Sequence, residues 1–168
     1  MMAKLIHVFD LDDTVLDSSH RRLVTDDHEA FIRDWKTHTA RQILKDKPLP
    51  LARFMRMLIS QGESVWILTA REMGLADYRL LENHGIRART ILSREAHDNR
   101  PDSVFKVAKI RPLLNLKGVR DCKIMFYDDK ESNREALANI PNSNIKGFNP
   151  EMFNGKSQPQ FTPPDLIA

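Results

Sequence analysis

Apolar residues in this chain gather into short runs that stop abruptly at polar groups. Longer stretches between those runs carry apolar residues at helical spacing. Leu5–Phe9, interrupted only by His7, is rich in branched and aromatic residues and predicts a buried strand that stops at Asp10. Ser64–Leu68 predicts a second strand, stopping at Thr69, and Thr90–Leu92 a short third. Residues 122–127 predict a strand stopping at Asp128 and Asp129, and residues 144–146 a weak final one. Helices are expected between them. Residues 28–44 place Phe31, Ile32, Trp35, Ile43 and Leu44 at helical spacing before Pro48 and Pro50. Residues 51–61 set Leu51, Phe54, Met55, Leu58 and Ile59 on one face, with Gly62 as the stop. Leu75–Asn83 stops at Gly85, and residues 131–139 form another helix. Asp102 or Ser103 caps a helix carrying Val104, Phe105, Val107, Ala108 and Ile110, which Pro112 kinks or ends.

Strands alternating with helical crossovers predict a doubly wound, parallel α/β sheet. With 168 residues, one domain is expected, spanning residues 1–147 with a small insertion at about 20–48. Residues 148–168, with four prolines and little periodicity, read as an irregular extension.

Composition narrows the class. The chain is 41% hydrophobic and 29% charged, which is globular rather than disordered. A net charge of +3 permits an anionic substrate without requiring one. Cys122 is the only cysteine, which excludes an intrachain disulfide and a cysteine-based zinc site. The histidines form no close i, i+4 pair, so a zinc cluster has little support. No run reaches the ~20 apolar residues of a membrane span, and the opening residues lack a signal-peptide pattern, so a cytoplasmic location is expected.

Three strands thus end in reactive groups: Asp10 and Asp12, then Thr69, then Asp128 and Asp129. Parallel strands share a carboxyl edge, so these groups converge, with Lys106 arriving from the helix between the last two. Crowded carboxylates are costly unless a cation or a reaction uses them. Carboxylates, a hydroxyl and a lysine around a hard cation such as Mg²⁺ describe a phosphoryl-transfer site. No G-x-x-x-x-G-K-[ST] loop occurs, which argues against a P-loop kinase. Singly, each residue has a plainer use: Asp-x-Asp as a turn, Thr69 as a cap, Lys106 as a solvated helix residue. Their order along the chain carries the chemistry.

That order resembles the haloacid dehalogenase-like phosphohydrolases. Asp10-Leu11-Asp12-Asp13-Thr14 matches the D-x-D-x-T opening motif, Trp66-Ile67-Leu68-Thr69 the second, and Ile124 through Asp129 the fourth. Lys106 fits the third motif, with Lys109 its competitor. Within the superfamily the likeness is nearest to the phosphatase domain of phage polynucleotide kinase/3′-phosphatase. It rests on Thr69-Ala70-Arg71-Glu72-Met73-Gly74, on Arg100 through Lys106, and on Arg21 eleven residues after Asp10. Asp13 stands where glycine is usual, and Ser103 replaces an acid.

The resemblance implies a Rossmann-type, HAD-like fold with at most a small helical cap. It implies Asp10 as nucleophile and Asp12 as general acid and base. Mg²⁺ would sit on Asp10, the Asp12 carbonyl and Asp129, with Asp128 nearby. Thr69 and Lys106 would hold phosphoryl oxygens, and Arg21 and Arg71, otherwise ordinary surface arginines, would grip the substrate. The insertion is too short for a large cap, so an open site is expected, fit for nucleic-acid ends. A mild basic bias at Arg33, Lys36, Arg41, Lys45 and Lys47 is compatible with a nucleic-acid backbone. The implied activity is a polynucleotide 3′-phosphatase. A nucleoside monophosphate or other small-molecule phosphatase, a phosphotransferase, and a non-catalytic nucleic-acid-binding module are the alternatives.

Overall fold

The structure, a computed structural model, describes residues 4–155. Five parallel strands form the main sheet: β1 (Leu5–Phe9), β4 (Ser64–Leu68), β5 (Thr90–Leu92), β6 (Lys123–Tyr127) and β7 (Ile145–Phe148). Their spatial order is β5-β4-β1-β6-β7. The central strand β1 pairs Phe9 with Ile67 on one side and with Tyr127 on the other. The three strand ends that carry Asp10, Thr69 and Asp128 therefore lie side by side.

Burial on both faces explains why β1 is almost wholly apolar. Phe9, Val65, Ile67, Met125 and Tyr127 point to one face, packed by α3 (Leu51–Ser60) and α4 (Leu75–Asn83) through Leu51, Met55, Leu58 and Leu80. Ile6, Val8, Trp66, Leu68, Ile124 and Phe126 point to the other, beneath α5 (Asp102–Ile110) and α6 (Glu131–Ala138) through Ile110 and Leu137. His7 is buried with the first set and shares a 3.0 Å hydrogen bond between Nδ1 and the Tyr127 hydroxyl. Desolvation pushes its pKa down to about 4, so it sits in the core as a neutral ring. Gly147 lets α6 lie close on β7, because a Cβ there would meet the Arg134 Cβ at 2.8 Å.

Between β1 and β4 the chain makes a small excursion. A two-stranded antiparallel ladder pairs β2 (Leu16–Asp17) with β3 (Lys47–Pro48), and between them lie α1 (His28–Lys36) and α2 (Ala40–Ile43). The periodicity over residues 28–44 thus resolves into two helices. Thr37 Oγ1 donates to the Asp34 carbonyl, and Thr39 with Gln42 forms a reciprocal cap at the start of α2. These side chains satisfy the backbone locally and end the first helix.

Two sequence expectations shift, and the one at Pro112 resolves to a helix end rather than a kink. Asp102 is the first residue of α5, preceded by Pro101, and its carboxylate serves no cap. The helix ends at Ile110 and passes into a 3₁₀ turn, Arg111–Asn115, at Pro112. The start of the supposed irregular extension is built into the core: Phe148 closes β7, and α7 (Glu151–Asn154) buries Phe153 near Tyr127. Asn154 then accepts from the Leu51 amide and donates to the Thr14 carbonyl, both at 2.9 Å, bracing the acidic loop. The rest of the extension lies outside the described residues. No helix among them is long and apolar enough to cross a membrane.

Candidate active site

The loop after β1 folds back on itself. The Leu11 carbonyl accepts from the amides of Thr14, Val15 and Leu16. Asp13 takes φ +62° in that turn, a left-handed conformation that a short polar side chain tolerates. Its carboxylate pairs with Arg22 at 2.5 Å. Thr14, fully buried, donates to Asp10 Oδ2 at 3.1 Å and accepts from the Asp129 amide at 3.2 Å. One hydroxyl therefore joins two strand ends distant in sequence.

Asp10, Asp128 and Asp129 each offer an oxygen within 4.8 Å of the others. Buried Lys106 Nζ lies 2.8 Å from Asp10 Oδ1 and 2.5 Å from Asp128 Oδ2. Burial, then the Asp128 charge, push the Asp10 carboxyl well above the usual carboxylate range, against the pull of Lys106. Burial, Asp128 and Asp13 likewise raise Asp129. Burial opposes the Lys106 charge, but Asp10 and Asp128 hold its pKa above that of an ordinary lysine. Asn133 donates to Asp128 Oδ2 at 3.0 Å, while its own Oδ1 is buried with no hydrogen-bond partner among the described residues. Lys109, the rival for the motif lysine, instead lies at the surface with Glu95.

Asp12 stands in a different environment. Arg71 grips it with two hydrogen bonds, Nε to Oδ2 at 2.9 Å and Nη2 to Oδ1 at 2.7 Å, and Ser18 adds a third at 2.7 Å. Burial alone would raise Asp12, but the Arg71 charge and these bonds hold it below the usual range. The Arg71 guanidinium also donates to Asp77 at 3.0 Å and to Asp46 at 2.6 Å. Arg21 holds Asp46 through Nε and Nη2, each at 2.8 Å, and contacts His38 Nδ1 at 2.7 Å. Arg21 and Arg71 both line the cavity described below, yet protein carboxylates occupy the guanidinium groups expected to grip the substrate. Thr69 is fully buried, and its hydroxyl accepts from the Arg71 amide at 3.1 Å, capping the strand–helix turn.

A cavity of about 540 Å³ opens onto these groups. Asp10, Asp12, Asp129, Lys106 and Lys130 line it, together with Phe31, Ile32 and Trp35 of α1. The short insertion thus contributes one wall of the site through α1. Lys36 draws α1 across it by bonding the Ala96 carbonyl at 3.3 Å and Asn99 at 3.2 Å. Arg94 shapes the opposite rim, donating to the carbonyls of Ala70, Asp98 and Arg100 and to Asp102.

Several participants escaped sequence reasoning. Asn133 and Asp77 each follow a motif closely, the first four residues after Asp129 and the second three after Gly74, and that spacing was a usable signal. Asp46, Ser18 and Asn154 carry none.

The family model of the bacteriophage T5 5′-deoxynucleotidase matches residues 1–139. No curated protein matches the chain in sequence. Among solved structures, a chain of the Pnkp1/Rnl/Hen1 RNA repair complex superposes with a TM-score of 0.61 at 21% identity, over 88% of this chain and 43% of that one. This chain therefore spans less than half the length of that repair protein. A haloacid dehalogenase-like hydrolase, SP0104 of Streptococcus pneumoniae, gives 0.63 at 12% identity, over 88% of this chain and 84% of that one. A phosphatase described as putative from Clostridium difficile gives 0.62 at 14%, over 89% and 86%. These likenesses establish a HAD-like α/β fold.

Proposed function

The chain belongs to the bacteriophage T5 5′-deoxynucleotidase family and is a phosphatase, and from that premise we propose that it hydrolyses deoxynucleoside 5′-monophosphates with Mg²⁺ through an aspartyl-phosphate on Asp10. The observation that carries the substrate class is the mixed lining of the cavity, carboxylates and lysines together with Phe31, Ile32 and Trp35. Its volume of about 540 Å³ suits a small ligand and lies in the ~300–1,000 Å³ range of such sites. A phosphate and a nucleoside present the matching polarity.

A hard cation fits the donor set. Asp10, Asp128 and Asp129 supply clustered oxygens that repel one another, and the unpartnered Asn133 Oδ1 is an acceptor suited to a cation-bound water. With the Asp12 carbonyl, these carboxylates would hold Mg²⁺, which when bound neutralises charge on the phosphoryl oxygens. An Asp10 oxygen then attacks phosphorus as the P–O5′ bond breaks. Asp12, ionised on Arg71 at rest, takes up a proton from solvent when substrate is bound and gives it to the leaving oxygen. Water next attacks the phosphoryl group, Asp12 takes its proton, and phosphate leaves with Asp10 restored. Lys106, already on Asp10, stabilises the charge that develops beside it. Arg71 holds Asp12 rather than substrate, and makes the protonated carboxyl a stronger acid.

Polynucleotide 3′-phosphatase is the second reading. It is supported by the likeness to the RNA repair complex and by Lys36, Arg94, Arg100 and Lys130 around the cavity. Phosphate release should be measured with Mg²⁺ from deoxynucleoside 5′- and 3′-monophosphates and from 3′- and 5′-phosphorylated oligonucleotides, using wild type and Asp10→Asn. The proposal expects the 5′-mononucleotide to be the best substrate and the mutant to be inactive. A clear preference for the 3′-phosphorylated oligonucleotide would overturn it in favour of the second reading.

A further inference from the structure

We propose that Asp46 is the positioning residue for Asp12, fixing it through Arg71 and tying its alignment to the insertion that walls the cavity. The inference rests on the reading of Asp12 as the acid–base group.

Asp46 lies at the end of the insertion, just before β3, and is 2% exposed. Its carboxylate is shared by Arg21, Arg71 and His20, all within 2.8 Å. Arg71 Nη2 is the hinge of the arrangement. That one nitrogen donates to Asp46 Oδ2 at 2.6 Å and to Asp12 Oδ1 at 2.7 Å. With Asp77 on Nη1, the planar guanidinium is held on three sides and cannot swing without letting go of Asp12.

Asp46 supplies Arg21 with its carboxylate partner, while Asp12 and Asp77 both lie on Arg71. The bond of Asp46 to Arg71 goes beyond that pairing, because it joins the two guanidiniums in one geometry. The same carboxylate seats Arg21, whose guanidinium lies 4.2 Å from the centre of the Trp35 ring on the cavity wall. A ligand that settles against Trp35 therefore bears on the network that aims Asp12.

The leaving group separates this role from a merely structural one. A nucleotide releases an alkoxide that needs a proton, whereas p-nitrophenolate leaves without one. Turnover of a deoxynucleoside 5′-monophosphate and of p-nitrophenyl phosphate should be compared in wild type, Asp12→Asn, Asp46→Asn and Arg21→Lys, with folding checked by circular dichroism at the assay temperature. Asp12→Asn calibrates the signature, a loss on the nucleotide far exceeding that on the aryl ester. Asp46→Asn should reproduce it, with the nucleotide kcat falling at least about tenfold more than the aryl ester kcat, within the ~10²–10⁴-fold worth of acid–base catalysis. Arg21→Lys should move the ratio the same way by less, and it serves as the deciding variant if Asp46→Asn does not fold. Equal losses on both esters, or no loss on either, would overturn the role of Asp46. Absence of the signature in Asp12→Asn would overturn the acid–base reading itself, and the inference with it.

Discussion

Around Asp10, two of three clustered carboxylates, Asp10 and Asp128, pair with the ammonium of Lys106; around Asp12, the carboxylates of Asp12, Asp46 and Asp77 share the guanidiniums of Arg21 and Arg71. Asp10 and Asp129 are raised above the ordinary carboxylate range, while Asp12 and Asp46 are held below it. Burial is common to both regions, so the contrast comes from their counter-charges. The Asp10 side is short of positive charge and suited to receive it from a cation. The Asp12 side is internally satisfied, and its worth lies in where it holds one carboxylate. Although both sets flank the same β-strand end, one carries negative charge that a cation would offset, and the other holds Asp12 in place.

The largest expected effect removes the nucleophile. Asp10→Asn should cut turnover by at least about 10⁴-fold, measured as phosphate release, and a near-wild-type rate would end the assignment. Lys106→Met comes next. It leaves Asp10 and Asp128 facing each other without their shared cation, and breaking a buried pair costs about 3–5 kcal/mol, which chemical denaturation would register along with lost activity. Arg71→Lys attacks the other side. A lysine cannot hold Asp12, Asp46 and Asp77 together, and the nucleotide kcat should drop about 10²-fold while Mg²⁺ binding persists. The smallest effect belongs to Arg22, whose pair with Asp13 is about a third exposed on each side. Arg22→Ala should change stability by less than about 1 kcal/mol.

The two sides were not equally legible in the sequence. Asp10, Asp12, Asp128 and Asp129 each follow a short apolar run, and the end of a strand is a local signal that also fixes where the strand points. Lys106 was readable from motif order, and the structure places it, not Lys109, between Asp10 and Asp128. The sheet followed from the same runs. The scaffold side was hidden because its bonds join residues far apart: Asp46 lies 25 positions from both Arg21 and Arg71, and Arg71 lies 59 from Asp12. Ion pairs at such separations leave no periodicity, so the carboxylate partners of Arg21 and Arg71 could not be read from the sequence. The segment after Phe148 failed for a similar reason. Its few apolar residues show no repeat, yet Phe153 packs near Tyr127 and Asn154 reaches Thr14.

pH should act on the two sides with opposite sign. Asp12 and Asp46, lowered in the folded protein, contribute stability above their unfolded value near 3.8 that is lost as pH falls through their folded values. Asp10 and Asp129, raised in the folded protein, cost stability as pH climbs from near 3.8 through their folded values, and at neutral pH that cost is present unless a cation offsets it.

The most direct test is thermal unfolding at neutral pH of wild type, Asp129→Asn and Asp46→Asn, each with and without Mg²⁺. The account predicts that Mg²⁺ raises the wild-type Tm. Asp129→Asn should raise the Tm of the metal-free protein and lose most of the Mg²⁺ response, whereas Asp46→Asn should lower the Tm and keep that response. A destabilised Asp129→Asn that still responds fully to Mg²⁺, or an Asp46→Asn that no longer responds, would contradict the division of the site into a cation-accepting side and a scaffold.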